Sequence, residues 1–327
     1  MCVKINVVFH EFDLIEKGDK MSNQNVDMKQ GGLKQYHAWI FLGALAILLV
    51  AGIIIFGLRV LLSAAVSIAV SFVIEIAFAK MRKKPFDKEW LITPLLIVLI
   101  LPPGVPVWLI AIATFFGVFF GKNIFGGSGK YIFTPALVGF VFVLVSFPVD
   151  MATNWLQPGG DLFAGVTPLR SLLGTTSPYP YTFNELLLGG APGATGETLR
   201  IAVIILGVLL LILKVREWVV SVSYLGFFAL FAVVSYLLFE DSFARDPLLL
   251  MMTGSILFGA LFIASDPVIA PKDGRGQVLF GLGLAIITFV IRFFGTFPEG
   301  VMFSILLMSA VSPLIDNLFE KKEEVQA

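Results

Sequence analysis

The chain has 327 residues, of which 57% are hydrophobic and 14% are charged, and its 23 basic and 23 acidic side chains balance. A soluble domain carries about 25% charged residues, so this composition excludes an ordinary soluble protein and indicates a membrane protein with several spans. The balanced charge gives no basic footprint for nucleic acid. The one cysteine, Cys2, excludes a disulfide within the chain and cannot hold an iron–sulfur cluster, which needs about four ligands.

The first twenty residues contain no apolar run long enough for a signal peptide. Residues 1–36 are therefore expected to be a cytoplasmic N-terminal segment without a fold of its own. Met21 begins a polar stretch and is an alternative start of translation. The two histidines, His10 and His37, both precede the first span, so no haem or zinc site is expected inside the membrane.

Ten apolar stretches follow, and most of them are long enough to cross a hydrocarbon core of about 30 Å as a helix. The third and fourth form one uncharged run, which the sequence PPGVP (102–106) divides into two short helices. The stretches are 38–58, 60–79, the two parts of 90–121, 131–149, 201–213, 218–239, 247–265, 276–291 and 300–315. The expected fold class is an all-α membrane protein with about ten transmembrane helices.

Lysine and arginine set the orientation of such a chain, because they are concentrated in cytoplasmic loops. With a cytoplasmic N-terminus, the inner loops hold eleven of these residues and the outer edges hold five, and the cluster KMRKK (80–84) dominates the difference. Both termini are therefore expected inside the cell. The long loop at 150–199 is expected on the outer face.

Two proline pairs indicate an internal repeat. Pro102 and Pro106 separate the third and fourth spans, and Pro267 and Pro271 separate the eighth and ninth. An aromatic run with glycine follows each pair, FFGVFFGKNIFGG in the first half and FVIRFFGTFPEG in the second. Five spans followed by five predict two inverted repeats whose broken helices meet near the membrane midplane. The alternative is that proline and glycine are simply common in membrane helices.

The repeat divides the chain into expected regions. Residues 37–149 form the first five-helix repeat, residues 150–199 the outer loop, residues 200–318 the second repeat and residues 319–327 a cytoplasmic tail. The polar turn DLFAGVTPLR (161–170) lies in the outer loop. Its Thr167 has a hydroxyl that can accept a covalent modification, and Gly165 permits close approach to the backbone. On these residues alone, an ordinary loop is the simpler interpretation.

A second glycine-rich segment, APGATGETLR (191–200), runs into a helix start. Free backbone N–H groups at such a start bind anions such as phosphate, so this segment is a candidate cofactor site. Aromatic rings in the same loop could stack on a planar cofactor or form an interfacial belt. The candidate residues of the segment are Gly193, Gly196, Glu197 and Thr198, and the rings are those of Trp155, Phe163, Tyr179, Tyr181 and Phe183.

Two acidic side chains lie inside predicted spans or at a helix break. Glu75 either lines an ion path or pairs with the nearby lysines of KMRKK. Asp266 either helps to hold a cation at the break or belongs to a plain cytoplasmic turn. Arg292 and Glu299 flank the outer end of the ninth span, where a local salt bridge is expected.

Five segments together resemble a known family. The chain is similar to the D subunit of the Rnf complex, an ion-translocating ferredoxin:NAD⁺ oxidoreductase, and to its relative, the B subunit of the sodium-pumping NADH:quinone reductase. The resemblance covers nearly all of residues 35–320. The segments are FGKNIFGGSGKYIFTPALVG (120–139), GVTPL (165–169), LLLGGAPGATGET (186–198), FIASDPVIAPKDGRGQVLFG (262–281) and IRFFGTFPEGVMFSILLMSAVSPLID (291–316).

The resemblance implies a covalent flavin. In the family, a flavin transferase on the outer face joins FMN through its phosphate to a threonine hydroxyl, and Thr167 stands at that position. Gly165 matches the family pattern, and Asp161 supplies the acid that the pattern favours upstream. Ala164 and Val166 depart from it. A non-covalent riboflavin among the helices is a further possibility that the resemblance implies.

The expected function is that of a membrane subunit of a redox-driven Na⁺ or H⁺ pump in the cell (inner) membrane, whose FMN relays electrons between ferredoxin and NAD⁺. The implied partners are the A, B, C, E and G subunits of the Rnf complex. The chain alone is expected to be inactive, because it has no nicotinamide fold and no cluster ligands. The alternatives are the quinone-reductase type of subunit, which the short N-terminal segment disfavours, a solute channel or transporter, and a structural subunit whose flavin site has decayed.

Overall fold

The computed structural model describes residues 35–159, 167–174, 180–238, 246–295 and 299–323. Every regular element within these ranges is a helix, which confirms the all-α class. Two π-helical segments, Gly117–Asn123 and Gly259–Ile263, each continue an α-helix that ends at the preceding residue. The α-helices are α1 Gln35–Phe56, α2 Leu58–Arg82, α3 Ile92–Ile100, α4 Val107–Phe116, α5 Pro135–Ser146, α6 Pro148–Thr153, α7 Pro168–Leu173, α8 Phe183–Leu188, α9 Arg200–Ile212, α10 Trp218–Leu238, α11 Pro247–Met252, α12 Ile256–Phe258, α13 Gly274–Phe294 and α14 Gly300–Glu323.

Five helices in the described part of the chain are long and apolar enough to cross a membrane. They are α1, α2, α10, α13 and α14, and each leaves large apolar side chains such as Ile54, Val73 and Leu237 exposed on its outer face. Such exposure is typical of a surface solvated by lipid. Three shorter apolar helices, α5, α9 and the α4 helix with its π-helical extension, accompany them. The protein is therefore a multi-pass membrane protein.

The predicted break after α3 is confirmed. The helix ends at Ile100, and residues 101–106 are not helical, because three prolines within six residues remove backbone donors. The freed backbone groups find other partners. The Gly104 N–H donates to the carbonyl of Asn154 at 3.0 Å, and the Arg59 guanidinium donates to the carbonyl of Gly104 at 2.8 Å.

The eighth span was expected to be continuous over 247–265, and this expectation is wrong. The chain leaves helical geometry at 253–255, between α11 and α12, and Gly254 has a φ of 65°. Glycine is the residue that adopts this left-handed conformation without strain. The break before α13 was predicted from Pro267 and Pro271, and it is confirmed, since helical structure ends at Ile263 and resumes at Gly274.

One continuous core joins the two halves of the chain. It includes Phe41 of α1, Ile97 of α3, Phe140 of α5, Phe262 of the second π-helical segment and Ile305 of α14, all of them buried. Gly139 permits two helices to approach closely, because a Cβ at this position would overlap the carbonyl oxygen of Ala113. Small residues allow such approach between membrane helices.

The bundle has two chemically different ends, which we name by their residues. The loop end contains Arg59, residues 148–159, α7, α8 and Glu299. The lysine-rich end contains residues 80–84, Lys122 and Arg216. Arg59 and Glu75 lie 16 residues apart on α2, so the helical rise separates them by about 24 Å.

Candidate functional site

Thr167 caps a short helix at the loop end. It has extended backbone geometry, and its hydroxyl accepts a hydrogen bond from the N–H of Arg170 at 3.3 Å. Pro168 occupies the first helical position, where its missing N–H costs nothing. Thr167 itself is only 5% exposed. Asp161 and Gly165, the other predicted residues of this turn, lie outside the described residues.

The Thr167 side chain borders a small cavity of about 40 Å³. Three other polar residues, Arg170, Ser255 and Glu299, share the lining with apolar side chains that include Trp155. This volume suits about one water molecule. The cavity therefore brings a threonine, an arginine and a glutamate to one small space.

The glycine-rich segment 191–200 is a buried loop that packs on the end of α3. The Gly196 N–H donates to the carbonyl of Leu99 at 2.8 Å, and the Thr195 N–H donates to that of Leu101 at 3.4 Å. A Cβ on Gly196 would come within 2.8 Å of Leu99 Cβ. The glycine is thus needed for close packing on a neighbouring helix.

Three further N–H groups of the segment are also occupied. Those of Glu197 and Thr198 donate to the carbonyl of Ala194, and that of Ala194 donates to Glu197 Oε1 at 3.0 Å. The expectation of free N–H groups at Thr195, Glu197 and Thr198 is therefore wrong. A Cβ on Gly193 would lie 3.1 Å from Glu197 Oε1, and the Thr198 hydroxyl donates to Ala194 at 2.8 Å. The assignment of these residues to a flavin site stays a prediction.

Two buried arginines stabilise the break at 253–255. Arg292 donates to the carbonyls of Leu250 at 2.8 Å and Thr253 at 3.0 Å, and Arg200 donates to the carbonyl of Met252. These carbonyls lie at the end of α11, where a helix leaves acceptors without intrahelical partners. The expected salt bridge between Arg292 and Glu299 does not form, because the Arg292 guanidinium donates to these backbone carbonyls instead.

Glu299 lies just before the first residue of α14 and is half-buried. Burial, followed by repulsion from Glu197, raises the pKa of the Glu299 carboxyl to about 7, although three arginines act in the opposite direction. One oxygen of Glu197, Oε2, is buried without a hydrogen-bond partner. The loop end thus contains two neighbouring acidic groups, and one of them has a buried oxygen without a hydrogen-bond partner.

At the lysine-rich end, Glu75 is buried and paired with a residue far away in the sequence. Lys122 Nζ lies 2.7 Å from Glu75 Oε1 and 2.7 Å from Asp87 Oδ2. Asp87 also accepts from the Ser128 hydroxyl at 2.6 Å. Pairing of Glu75 with the lysines of 80–84 was one expectation, and it is wrong. Glu75 is instead neutralised by a cation from the first π-helical segment.

Asp266 is also neutralised. Its Oδ1 lies 3.2 Å from Arg216 NH1, and its Oδ2 accepts from the Tyr131 hydroxyl at 2.8 Å. The Arg216 contact is an ion pair without hydrogen-bond alignment, since NH1 has no hydrogen-bond partner. The Arg216 guanidinium also lies 3.6 Å from the ring centre of Phe41, a cation–π contact. Asp266 is therefore a structural junction between the two halves.

A larger cavity of about 450 Å³ opens at the lysine-rich end between α1, α2 and residues 84–92. Glu75, Asp87 and Glu89 line it together with the ring of Trp39. Burial, followed by repulsion from Asp87, raises the pKa of the Glu89 carboxyl to about 7. The volume falls in the range of pockets for small organic ligands.

The structure separates the predicted site residues into two groups. Thr167, Gly193, Gly196, Glu197 and Thr198 lie at the loop end, whereas Glu75 and Asp266 lie at the lysine-rich end. Sequence reasoning missed Lys122, Arg216 and Ser255. Lys122 stood inside the recognised FGKN motif, but its partner Glu75 is 47 residues away and on another helix.

Comparison with known proteins places the chain in a family. Residues 26–324 match the family described as NQR2, RnfD, RnfE. The D subunit of the ion-translocating oxidoreductase complex of Actinobacillus succinogenes is 32% identical over 322 residues, which cover 85% of this chain and 90% of that protein. The protein of the same name from Pseudomonas aeruginosa is 36% identical over 292 residues, which cover 80% and 83%.

A relative with a second name is also similar. The B subunit of the Na⁺-translocating NADH-quinone reductase of Pseudomonas aeruginosa is 35% identical over 259 residues, which cover 74% of this chain and 62% of that protein. The family match over residues 26–324 includes the segments from which the resemblance was drawn. The chain therefore belongs to the NQR2, RnfD, RnfE family.

Proposed function

We propose that this chain is a membrane subunit of an ion-translocating oxidoreductase and that it carries FMN on Thr167. Family membership and the names of the relatives support the first part. The observation that carries the second is the position of Thr167, which lines a small cavity together with Arg170 and Ser255. The flavin would supply electron transfer, and the protein would supply binding and orientation.

The residues at the loop end fit the phosphate part of FMN. A phosphodiester on Thr167 would carry a negative charge beside Arg170, and guanidinium groups bind phosphate strongly. The cavity has room for about one water molecule, so the flavin ring would lie outside it. Because Thr167 is 5% exposed, attachment requires α7 to move or precedes its packing.

The proposed topology has ten crossings in two inverted repeats of five, at residues 37–149 and 200–318, with cytoplasmic termini and Thr167 on the outer face. Arg59 and Arg200 are tied to the loop end, and the cluster 80–84 lies at the opposite end, in agreement with the positive-inside rule. Short helices α3 and α11, each followed by a break, support broken helices in both halves.

The proposed partners are the A, B, C, E and G subunits of the Rnf complex and, during maturation, a flavin transferase. The electron path between ferredoxin and NAD⁺ and the transport of Na⁺ or H⁺ belong to this proposal. Glu75 and Asp266 are proposed ion-path residues only in a state in which Lys122 and Arg216 have released them, because both are paired here. The cavity at the lysine-rich end is large enough to be considered for the non-covalent riboflavin.

Membership of the sodium-pumping NADH:quinone reductase is the second candidate, because a relative from that complex is 35% identical. Both candidates share the tethered flavin. A solute channel would need no flavin on Thr167, so flavin attachment separates it from both. Purification with either set of partner subunits would distinguish the first two candidates.

In-gel flavin fluorescence tests the attachment. The chain is produced with a flavin transferase and denatured, so that only covalent flavin remains. We expect fluorescence from the wild type and from Thr167→Ser, which keeps a hydroxyl, and none from Thr167→Ala. Thr182→Ala is the matched control, since Thr182 caps α8 in the same loop and should keep the flavin. Fluorescence from Thr167→Ala would contradict the assignment.

A further inference from the structure

A second small cavity lies at the lysine-rich end, between side chains from both halves of the chain. Its volume is about 20 Å³. A buried water molecule needs at least about 10–15 Å³ of such space and about two to four polar partners. We call this space the junction cavity, and its polar lining residues include Glu89, Lys122, Tyr131, Thr134, Arg216 and Asp266.

Two of these residues carry buried polar atoms to which the described residues offer no hydrogen-bond partner. Arg216 is 4% exposed, and the atoms concerned are its Nε and NH1 donors. Thr134 is 3% exposed, and its hydroxyl is in the same condition, although it precedes α5, where a threonine hydroxyl commonly caps the helix. Burying a polar group without a partner is costly, so these atoms indicate that the junction cavity binds a small polar ligand.

The charges around the junction cavity decide which ligand fits it. Arg216 and Lys122 line the cavity and would repel a cation. Asp266 lines it as well and would repel an anion, and an ionised Glu89 would add to this repulsion. A water molecule carries no net charge, and it can accept from a guanidinium while it donates to a hydroxyl or a carboxylate. The mixture of donors and acceptors therefore favours water over an ion of either sign.

Glu89 gives the junction cavity a route to solvent. Together with Ile92 and Ser128, Glu89 lines both the junction cavity and the open cavity of about 450 Å³. The two spaces are therefore separated by the same few side chains. A water molecule can enter the junction cavity from the open one past the partly exposed Glu89 side chain.

We propose that the junction cavity binds one water molecule, which accepts a hydrogen bond from Arg216 and donates one to the Thr134 hydroxyl. This water supplies the hydrogen bonding that the ion pair of Arg216 with Asp266 lacks, since these groups lie 3.2 Å apart without alignment. A bridging water contributes nearly as much as a direct hydrogen bond, so it ties Thr134 of the first half to Arg216 of the second. The inference does not depend on the flavin or on the proposed function.

Radiolytic labelling of the full chain in detergent tests for this water. X-rays generate hydroxyl radicals from bound water as well as from solvent, and the radicals oxidise the nearest side chains. Leu96 lines the junction cavity and is 4% exposed, whereas Leu95 is 6% exposed and lines neither this cavity nor the open one. We expect tandem mass spectrometry to show several-fold faster oxidation of Leu96 than of Leu95. Equally slow oxidation of both leucines would overturn the inference.

A variant shows whether the water depends on the proposed partner. Thr134→Val removes the hydroxyl and keeps the shape of the side chain, so Leu96 oxidation should fall toward that of Leu95. Thr153→Val is the matched control, because the Thr153 hydroxyl is exposed and donates to the carbonyl of Val149, and labelling of Leu96 should not change. Undiminished labelling of Leu96 in Thr134→Val would contradict the assignment. The comparison of Leu96 with Leu95 in the wild type needs no variant to fold.

Crystals of the full chain grown in bromide distinguish water from an anion. At a resolution that shows ordered water, we expect density for one molecule in the junction cavity and no anomalous signal from bromide there. A bromide signal in the cavity would replace the water with an anion, and a cavity without density would remove the ligand altogether. Either result would overturn the inference.

Discussion

At the scale of single residues, buried charges at the lysine-rich end are held by one cation. Lys122 lies between Glu75 and Asp87, and its side chain is 2% exposed. Two carboxylates therefore depend on one ammonium group. Loss of one partner of a buried pair is costly because it leaves a charge without compensation.

We expect Lys122→Met to lower the free energy of unfolding by about 3–5 kcal/mol. Glu75 is the more buried of the two carboxylates, so Lys122→Met combined with Glu75→Gln should recover much of the loss. Denaturant unfolding in detergent measures both. Lys130→Met, an exposed lysine of the neighbouring loop, is the control and should change little. An unchanged midpoint for Lys122→Met would show that the cluster is not a stabilising unit.

The pKa of Glu89 predicts how this end responds to pH. Burial and repulsion from Asp87 raise the pKa of Glu89 from 4.5 to about 7 in the folded state. Between these two pH values, Glu89 is protonated in the folded state and ionised in the unfolded state. This group therefore lowers stability as pH rises from about 4.5 to about 7. Glu89→Gln should raise the unfolding midpoint at about pH 8 and leave it nearly unchanged at about pH 4. Equal shifts of the unfolding midpoint at both pH values would contradict the raised pKa of Glu89.

At the scale of helices, close packing depends on the absence of a side chain at a few contacts. Gly139 of α5 lies against the backbone of α4 at Ala113. We expect Gly139→Ala to separate the two helices and to cost about 1–3 kcal/mol, as overpacking does in other cores. Gly226→Ala in α10 is the control, because nothing lies within 4 Å of its Cβ. That variant should be neutral or more stable in the same unfolding measurement.

The helix breaks show what a sequence reveals and what it does not. The breaks at Pro102–Pro106 and Pro267–Pro271 were predicted, because proline removes a backbone donor wherever it stands. The break at 253–255 was missed, since it contains no proline and is stabilised by Arg292 and Arg200 from other helices. Helix periodicity indicates which residues share a face, but it does not show which helix packs against that face.

The same limit applies to the site. Thr167 was predicted to carry the flavin because its motif is local and resembles a known one, and this stays a prediction. The partner of Glu75 could not be identified in this way, because Lys122 is distant in sequence and only the packing of α2 against the first π-helical segment brings them together. Segment 191–200 was predicted to be an open anion-binding loop, yet the N–H groups of residues 194–198 donate to Leu99, to Leu101 and within the segment's own turn.

At the scale of the whole molecule, the account predicts which end faces the cell exterior. In a Cys2→Ser background, a cysteine at Asn184 near the loop end and one at Lys84 of the lysine-rich end are both exposed. We expect a membrane-impermeant maleimide to label Asn184→Cys in intact cells and Lys84→Cys only after permeabilisation. The opposite pattern would invert the proposed topology and remove Thr167 from the outer face.

The central claim is that Thr167 carries a covalent FMN, and the intact mass of the purified chain tests it most directly. The account predicts a mass gain equal to one FMN phosphodiester in the wild type, dependent on the flavin transferase and absent from Thr167→Ala. A wild-type chain that keeps its unmodified mass in the presence of an active transferase would contradict the account, as would a gain that survives in Thr167→Ala.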